Sequence, residues 1–201
     1  MTATVAELVE RLGAADFNLR ARALAGLVAL GRGATSALLP LLGNPDAALR
    51  ALATRALAEA GDPDCAEAFA RALRDPDCQV RARAAQGLAR IGDARAVDAL
   101  ILTLNDYPDV LHDPATLATH LLTKQGVAAL PRVIPLLRAA DLATRRRAWL
   151  VVHGIVTRLN GATGWATLWH SLGGYRPDAP VEERDAAAAR WQVWVARGMA
   201  E

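Results

Sequence analysis

The chain repeats one turn-and-cap signature on a near-constant period. Asp16-Phe-Asn-Leu-Arg20, Asp46-Ala-Ala-Leu-Arg50 and Asp77-Cys-Gln-Val-Arg81 match one another, and Gly31, Gly61 and Gly92 follow them at spacings of about 30 residues. That period is too short for a domain and suits one helical hairpin. A lone hairpin cannot bury its apolar side, so such units must stack on their neighbours.

Each unit reads as a first helix, a short turn, a second helix and a glycine turn. The spacing predicts first helices at 5–12, 36–42 and 65–73, and second helices at 18–30, 46–60 and 77–91. In the second helices the inward positions are Leu19, Ala23, Leu27 and Leu30; Leu49, Ala53, Leu57 and Ala60; and Val80, Ala84, Leu88 and Ile91. Steps of three and four place each set on one helix face. Pro45 and Pro76 occupy matched turns, where no helical N–H is lost. Asp16, Asp46 and Asp77 stand where a carboxylate can accept the unpaired N–H groups of a helix start. Each glycine then permits the positive φ that ends the helix.

The fourth unit departs from this pattern. Its first helix reads as 96–104, and Tyr107-Pro-Asp-Val-Leu-His-Asp-Pro114 replaces the tight turn. Its second helix reads as 114–125, and the position matching the earlier arginines falls on Asp113 or Ala115. A hinge or change of curvature is therefore expected near 105–114. The fifth unit recovers, with a first helix at 127–137 and Asp141-Leu-Ala-Thr-Arg145 opening a second helix that reaches about 159.

These units resemble the HEAT-like repeats of bacterial proteins, including the type first described in phycobilisome lyases. The Asp-x-x-x-Arg pairs, the Pro45 and Pro76 turns and Ile91-Gly92-Asp93 carry the resemblance, over roughly residues 5–160. It implies an all-α solenoid of about five hairpins. It also implies a structural ladder between neighbouring units, built from Asp16 and Arg20, Asp46 and Arg50, Asp77 and Arg81, and Asp141 and Arg145. In such arrays the second helices line the concave surface.

All five tryptophans lie in the last third: Trp149, Trp165, Trp169, Trp191 and Trp194. Gly173-Gly-Tyr-Arg-Pro-Asp-Ala-Pro180 reads as a loop and 181–197 as a final helix. This tail, with its Trp-x-x-Trp, is similar to those of bacterial HEAT-repeat proteins. A terminal repeat needs a cover, so the tryptophans read as an aromatic cap. The alternative is an aromatic binding surface for bases, a peptide or a chromophore. The expected organisation is a repeat array at 1–161 and a helical cap at 162–201 packed on the last repeat, as one continuous structural unit.

Net charge is +2, which selects no partner. The distribution is lopsided, however. The second helices carry Arg20, Arg22, Arg50, Arg55, Arg81, Arg83, Arg90, Arg145, Arg146, Arg147 and Arg158, with only Glu59 opposing them apart from the caps. Arg22, Arg83 and Arg147 recur at one slot outside the ladder. With Arg55, Arg90 and Arg146 they form the candidate partner-binding set, suited to an acidic protein or a phosphate backbone.

Catalytic patterns are weaker. Cys65 and Cys78 without a nearby His form no ligand set and read as ordinary thiols of a reducing compartment. His112, His120, His153 and His170 share no ligand spacing, and His112-Asp113 alone is no metal site. The chain lacks the His-Glu pairs of deoxyhypusine hydroxylase, a glycine-rich phosphate loop and a serine-nucleophile motif. No cofactor, secretory leader or bilayer-spanning run is expected, and a cytoplasmic location follows from that reading. The sequence favours a non-catalytic scaffold that binds an acidic partner protein. HEAT-like alkylpurine DNA glycosylases combine a basic concave face, aromatic residues and an acid; Asp113, Arg145, Arg146, Arg147 and Trp149 supply those residue types. Nucleic-acid binding, with or without that activity, is therefore the alternative, and a lyase subunit a further one.

Overall fold

The computed structural model describes residues 3–106 and 115–199, and its elements are helices. The chain divides into two compact units, Met1–Ala99 and Leu100–Glu201. The expected boundary between residues 161 and 162 falls inside the second unit. The expected hinge, the Asp113 slot and the His112-Asp113 pair fall on residues 107–114, outside the described residues.

The first unit holds three helical hairpins. Helix α1 (Val5–Leu12) pairs with α2 (Phe17–Leu30). Helix α3 (Thr35–Leu38), flanked by 3-10 turns at Gly31–Ala34 and Leu39–Gly43, pairs with α4 (Ala47–Ala60). Helix α5 (Ala66–Ala72), entered through the 3-10 turn Pro63–Cys65, pairs with α6 (Cys78–Arg90). The second helices lie side by side, α2 on α4 and α4 on α6. The middle helix α4 therefore buries Ala51, Ala53, Thr54, Ala56, Leu57 and Ala58. Its alanines let both neighbours approach closely while favouring the helix itself. Leu12, Leu27, Leu38, Leu57, Phe69 and Leu88 fill the space between the layers. Burial of each such side chain contributes roughly 1.5–3 kcal/mol.

The caps follow the sequence. Asp16 accepts from the Leu19 N–H, Asp46 from the Ala48 N–H, and Asp77 from the N–H groups of Gln79 and Val80. Gly31 and Gly61 end α2 and α4 at φ of 54° and 65°. The inward sets hold at their centres and fray at their ends. Ala23, Leu27, Ala53, Leu57, Val80, Ala84 and Leu88 are buried, whereas Leu19 and Leu30 are exposed. Helix α2 is the outermost second helix of its unit, so its ends meet no further neighbour there.

Phe17–Gly43 is the one stretch among the described residues long and apolar enough, by composition, to cross a membrane. This corrects the expectation of none. Helical geometry breaks within it at Gly31 (φ 54°, ψ −130°), and Leu24, Leu27, Ala34 and Leu38 are buried inside the first unit.

Helix α7 (Ala96–Leu102) carries the chain into the second unit. There α8 (Leu117–Gln125) is followed by α9 (Leu130–Val133), between 3-10 turns at Gly126–Ala129 and Ile134–Arg138. This order repeats that around α3. Pro40 and Pro135 explain it, since proline lacks the N–H that an α-helix interior needs. The continuous helices expected at 36–42 and 127–137 are for this reason each split into an α turn and a 3-10 turn.

Helix α10 runs Leu142–Ser171, but Gly161 inside it is non-helical (φ 68°, ψ 176°). Trp149 and Trp165 would stand about 24 Å apart along a straight helix. Their ring centroids are 5.1 Å apart, so the chain doubles back at Gly161. Helix α11 (Val181–Ala196) then packs on α9 and on the Ile134–Arg138 turn.

Candidate functional site

In the first unit the three second helices present matching slots away from their buried faces. Arg22, Ala25 and Ala29 on α2 correspond to Leu52, Arg55 and Glu59 on α4, and to Arg83, Gln86 and Arg90 on α6. None of the nine is buried. Four arginines thus share the face with one carboxylate. Arg55 meets that carboxylate, Glu59, at 2.8 Å one helical turn along. Arg83 donates to Gln86 Oε1 at 3.0 Å. Arg22 and Arg90 are exposed. Within these nine slots arginines outnumber carboxylates four to one although the whole chain is nearly neutral.

The second unit does not extend the set in the same way. Arg146 is exposed on α10, but Arg147, which matches the Arg22 and Arg83 slot, is buried. Its Nη1 donates to Asn105 Oδ1 at 2.6 Å, and Asn105 Nδ2 donates to Thr144 at 2.7 Å. Helix α10 packs on both α8 and the Ile134–Arg138 turn. Arg147 is therefore corrected from a contact residue to a packing residue.

The ladder arginines have different partners from those expected. Arg20 Nη1 donates to the carbonyls of Ala14 and Ala15, Arg50 to Asn44 and Pro45, Arg81 to Asp75 and Pro76, and Arg145 to Ala139 and Ala140. The same guanidinium position closes the same interhelical turn four times. These carbonyls lie in the turn just after the first helix, outside any helical hydrogen-bond ladder. The matched aspartates Asp16, Asp46, Asp77 and Asp141 are engaged as caps by backbone N–H groups.

One tie between successive hairpins comes from a residue outside the expected set. Arg50 Nε and Nη2 donate to both Asp75 oxygens at 2.8 and 2.9 Å. Burial pushes Asp75 up, but Arg50, the Asp77 N–H and Arg81 outweigh it and hold the carboxyl below its usual range. A signal for Asp75 was present in the sequence. Asn44-Pro-Asp46 and Asp75-Pro-Asp77 are the same motif, and in both the first side chain accepts from the N–H two residues on. Arg145 Nε instead donates to Pro177 O at 2.7 Å. The loop before α11 thus supplies an oxygen where Asp75 does for Arg50.

Trp149, Trp165, Tyr175, Trp191 and Trp194 form one aromatic cluster in the second unit. Trp149 lies 5.1 Å from Trp165, 4.9 Å from Tyr175 and 5.5 Å from Trp191 between centroids, and Trp191 lies 5.6 Å from Trp194. Trp191 and Trp194 are buried, while Trp149, Trp165 and Trp169 are half-buried. Trp169 Nε1 donates to Tyr175 O, and Tyr175 Oη donates to Leu137 O at 2.6 Å. Tyr175 is thus central to the cluster, a role the tryptophan count alone did not reveal. Burial pushes its phenol up to about 12.

Among the described residues no three His, Cys, Asp or Glu side chains gather where a metal could sit. Cys65 and Cys78 are free thiols, and burial, followed by Asp62 and Asp64, pushes Cys65 up. His120 is held low by burial and by Lys124 and Arg158. His153 packs edge-on to Trp165 at 4.6 Å, and His170 lies beside Trp169.

Comparison with known proteins agrees with this geometry. Residues 35–119 match the family of HEAT repeats. The solved complex of CpcE and CpcF, a phycocyanin lyase from Nostoc sp. PCC7120, is similar at 22% identity, with a TM-score of 0.50 over 93% of this chain and 75% of that one. Two engineered proteins are each 19% identical. One has a TM-score of 0.47 over 96% of this chain and 97% of its own, the other 0.45 over 98% and 100%. No curated protein matches the chain. Residues 35–119 are thus similar to HEAT repeats, and the described elements form an all-α fold of stacked helical hairpins.

Proposed function

We propose that this protein is a non-catalytic interaction module that binds an acidic surface of a partner protein through the outward face of α2, α4 and α6. One observation carries the reading. Arg22, Arg55, Arg83 and Arg90 stand in matched slots of three adjacent helices, against the single carboxylate of Glu59. A rigid layer holding cations at fixed spacing favours carboxylates that match it, and charge complementarity sets which partner approaches and in what register. The half-exposed aliphatic stems of Arg55 and Arg83 add apolar contact. Arg146, exposed on α10, is a proposed contact residue of the second unit taken by itself.

The test is a charge reversal, Arg22→Glu with Arg55→Glu and Arg90→Glu, in the full chain. Wild type should retain a specific acidic protein from native lysate, and the variant should lose it with its helical circular dichroism intact. Duplex DNA is titrated in parallel across a salt series. If DNA affinity instead falls and its salt slope drops by about three, nucleic-acid binding replaces this reading. The lyase-subunit alternative rests only on likeness in fold to the phycocyanin lyase complex, and it predicts that activity needs a second subunit.

A further inference from the structure

The second unit contains a trough of about 1070 Å³ between the part of α10 after Gly161 and α11. Its two walls differ chemically. On α10, Thr163, Thr167 and Ser171 line it at four-residue steps. The Thr167 hydroxyl donates to Thr163 O and the Ser171 hydroxyl to Leu168 O, so these groups spend their protons within the helix. On α11 the polar lining is Arg190 and Arg197. Leu168, Val193 and Trp194 supply the apolar lining, and Val193 is 49% exposed.

Three features define what fits. Among the described residues no Asp or Glu lines the trough, so its described charged lining is cationic; Arg190 Nε donates to Leu172 O at 3.0 Å. Arg190 and Arg197 are two turns apart, about 10 Å along α11. Finally, Thr163, Thr167, Val193 and Arg197 are exposed, so the site is an open channel. A small ligand in a well-formed pocket buries most of its surface, which an open channel cannot provide. A helix needs only one face covered, and its diameter of about 10–12 Å suits a channel between two helices.

We propose that this trough docks an amphipathic helix of a partner protein, apolar face inward, with two carboxylates spaced two turns apart that pair with Arg190 and Arg197. The site is separate from the α2, α4 and α6 face and stands or falls independently of it.

The experiment uses the full chain and two fluorescein-labelled synthetic helical peptides of about 18 residues. Both carry the same leucine and alanine face; one is bordered by glutamates at seven-residue spacing, the other by lysines. Anisotropy titrations at about 0.15 M salt should show the glutamate peptide binding about tenfold or more tighter. Arg197→Glu should cost that peptide at least about fivefold and improve the lysine peptide. Thr167→Trp, which fills the channel from an exposed position, should abolish binding of both. Arg22→Glu should leave both titrations unchanged. Equal binding of the two peptides, glutamate-peptide binding that survives Thr167→Trp, or loss on Arg22→Glu would each overturn the proposal.

Discussion

The Arg50 guanidinium reaches from its own hairpin to the next and meets both oxygens of Asp75, at 2.8 and 2.9 Å. Its remaining nitrogen stays at home, on the carbonyls of Asn44 and Pro45. One side chain thus fixes the turn of its own repeat and the register of the following one. Both partners are nearly covered, with side chains 12% and 10% exposed.

Asp75→Ala leaves the nearly covered Arg50 charge with only carbonyl partners. It should lower stability by about 1.5–3 kcal/mol in urea unfolding. The Asp75 carboxyl is held below its ordinary value in the fold. Its contribution is therefore complete above the unfolded carboxylate range and fades as pH falls below it. A double-mutant cycle with Arg50→Ala should return a clear coupling energy. Additive effects would mean that the fork contributes nothing.

Gly87 lies against the Phe69 ring so closely that a Cβ there would sit 2.5 Å from Cζ. Both residues are buried. Gly87→Ala should therefore destabilise the first unit by about 1–3 kcal/mol through overpacking, despite the better helix propensity of alanine. Adding Phe69→Leu should recover part of that loss. Thermal melts of the three variants decide it, and an unchanged melting temperature in Gly87→Ala would show that the α5 and α6 contact is loose.

Asp93 is pulled down to about 2, chiefly by the Arg95 side chain and N–H, which donate to it at 2.7–2.9 Å. Arg95 also reaches Glu67 on α5 at 2.8 Å. A depressed carboxyl stabilises the fold above its unfolded value near 3.8 and loses that contribution as pH falls through about 2. Arg95 is 44% exposed, so solvent screening keeps the effect small. Asp93→Asn should lower stability slightly at pH 7 and flatten the stability profile between pH 4 and 2. Parallel wild-type and variant profiles would exclude the pair as a contributor.

Tyr175 is buried with its hydroxyl on Leu137 O, and its phenol is raised to about 12. The neutral form is the one the fold holds. Stability from this group is complete below about 10 and is lost as pH rises through about 12. Tyr175→Phe should cost about 1 kcal/mol at neutral pH and reduce the alkaline loss. Tryptophan fluorescence is the readout, because Trp149 packs on the Tyr175 ring.

Arg147→Ala should act on stability and leave partner binding alone. It removes a buried charge-assisted bond to Asn105, worth about 1.5–3 kcal/mol. Arg22→Ala, at the same repeat position but exposed, should leave stability within about 0.5 kcal/mol. Equal melting temperatures for the two variants would contradict the burial difference.

The amino-acid sequence by itself determined the hairpins, their caps and their period. Asp16, Asp46 and Asp77 cap because capping is local: a carboxylate meets N–H groups two or three residues on, and glycine ends a helix through its own φ. Periodicity likewise located Leu27, Leu57 and Leu88 in the core. What the tertiary structure decided is which repeated arginine is spent where. Arg22, Arg83 and Arg147 share one slot, yet Arg147 alone is buried, held against Asn105. Arg50 finds Asp75 rather than a capping aspartate, because those carboxylates are already taken by backbone N–H groups. The turn at Gly161 lies close to the helix end expected near 159, but which rings it gathers, Trp149 with Trp165 and Tyr175, was not legible, because contacts between distant residues depend on packing that no local pattern encodes.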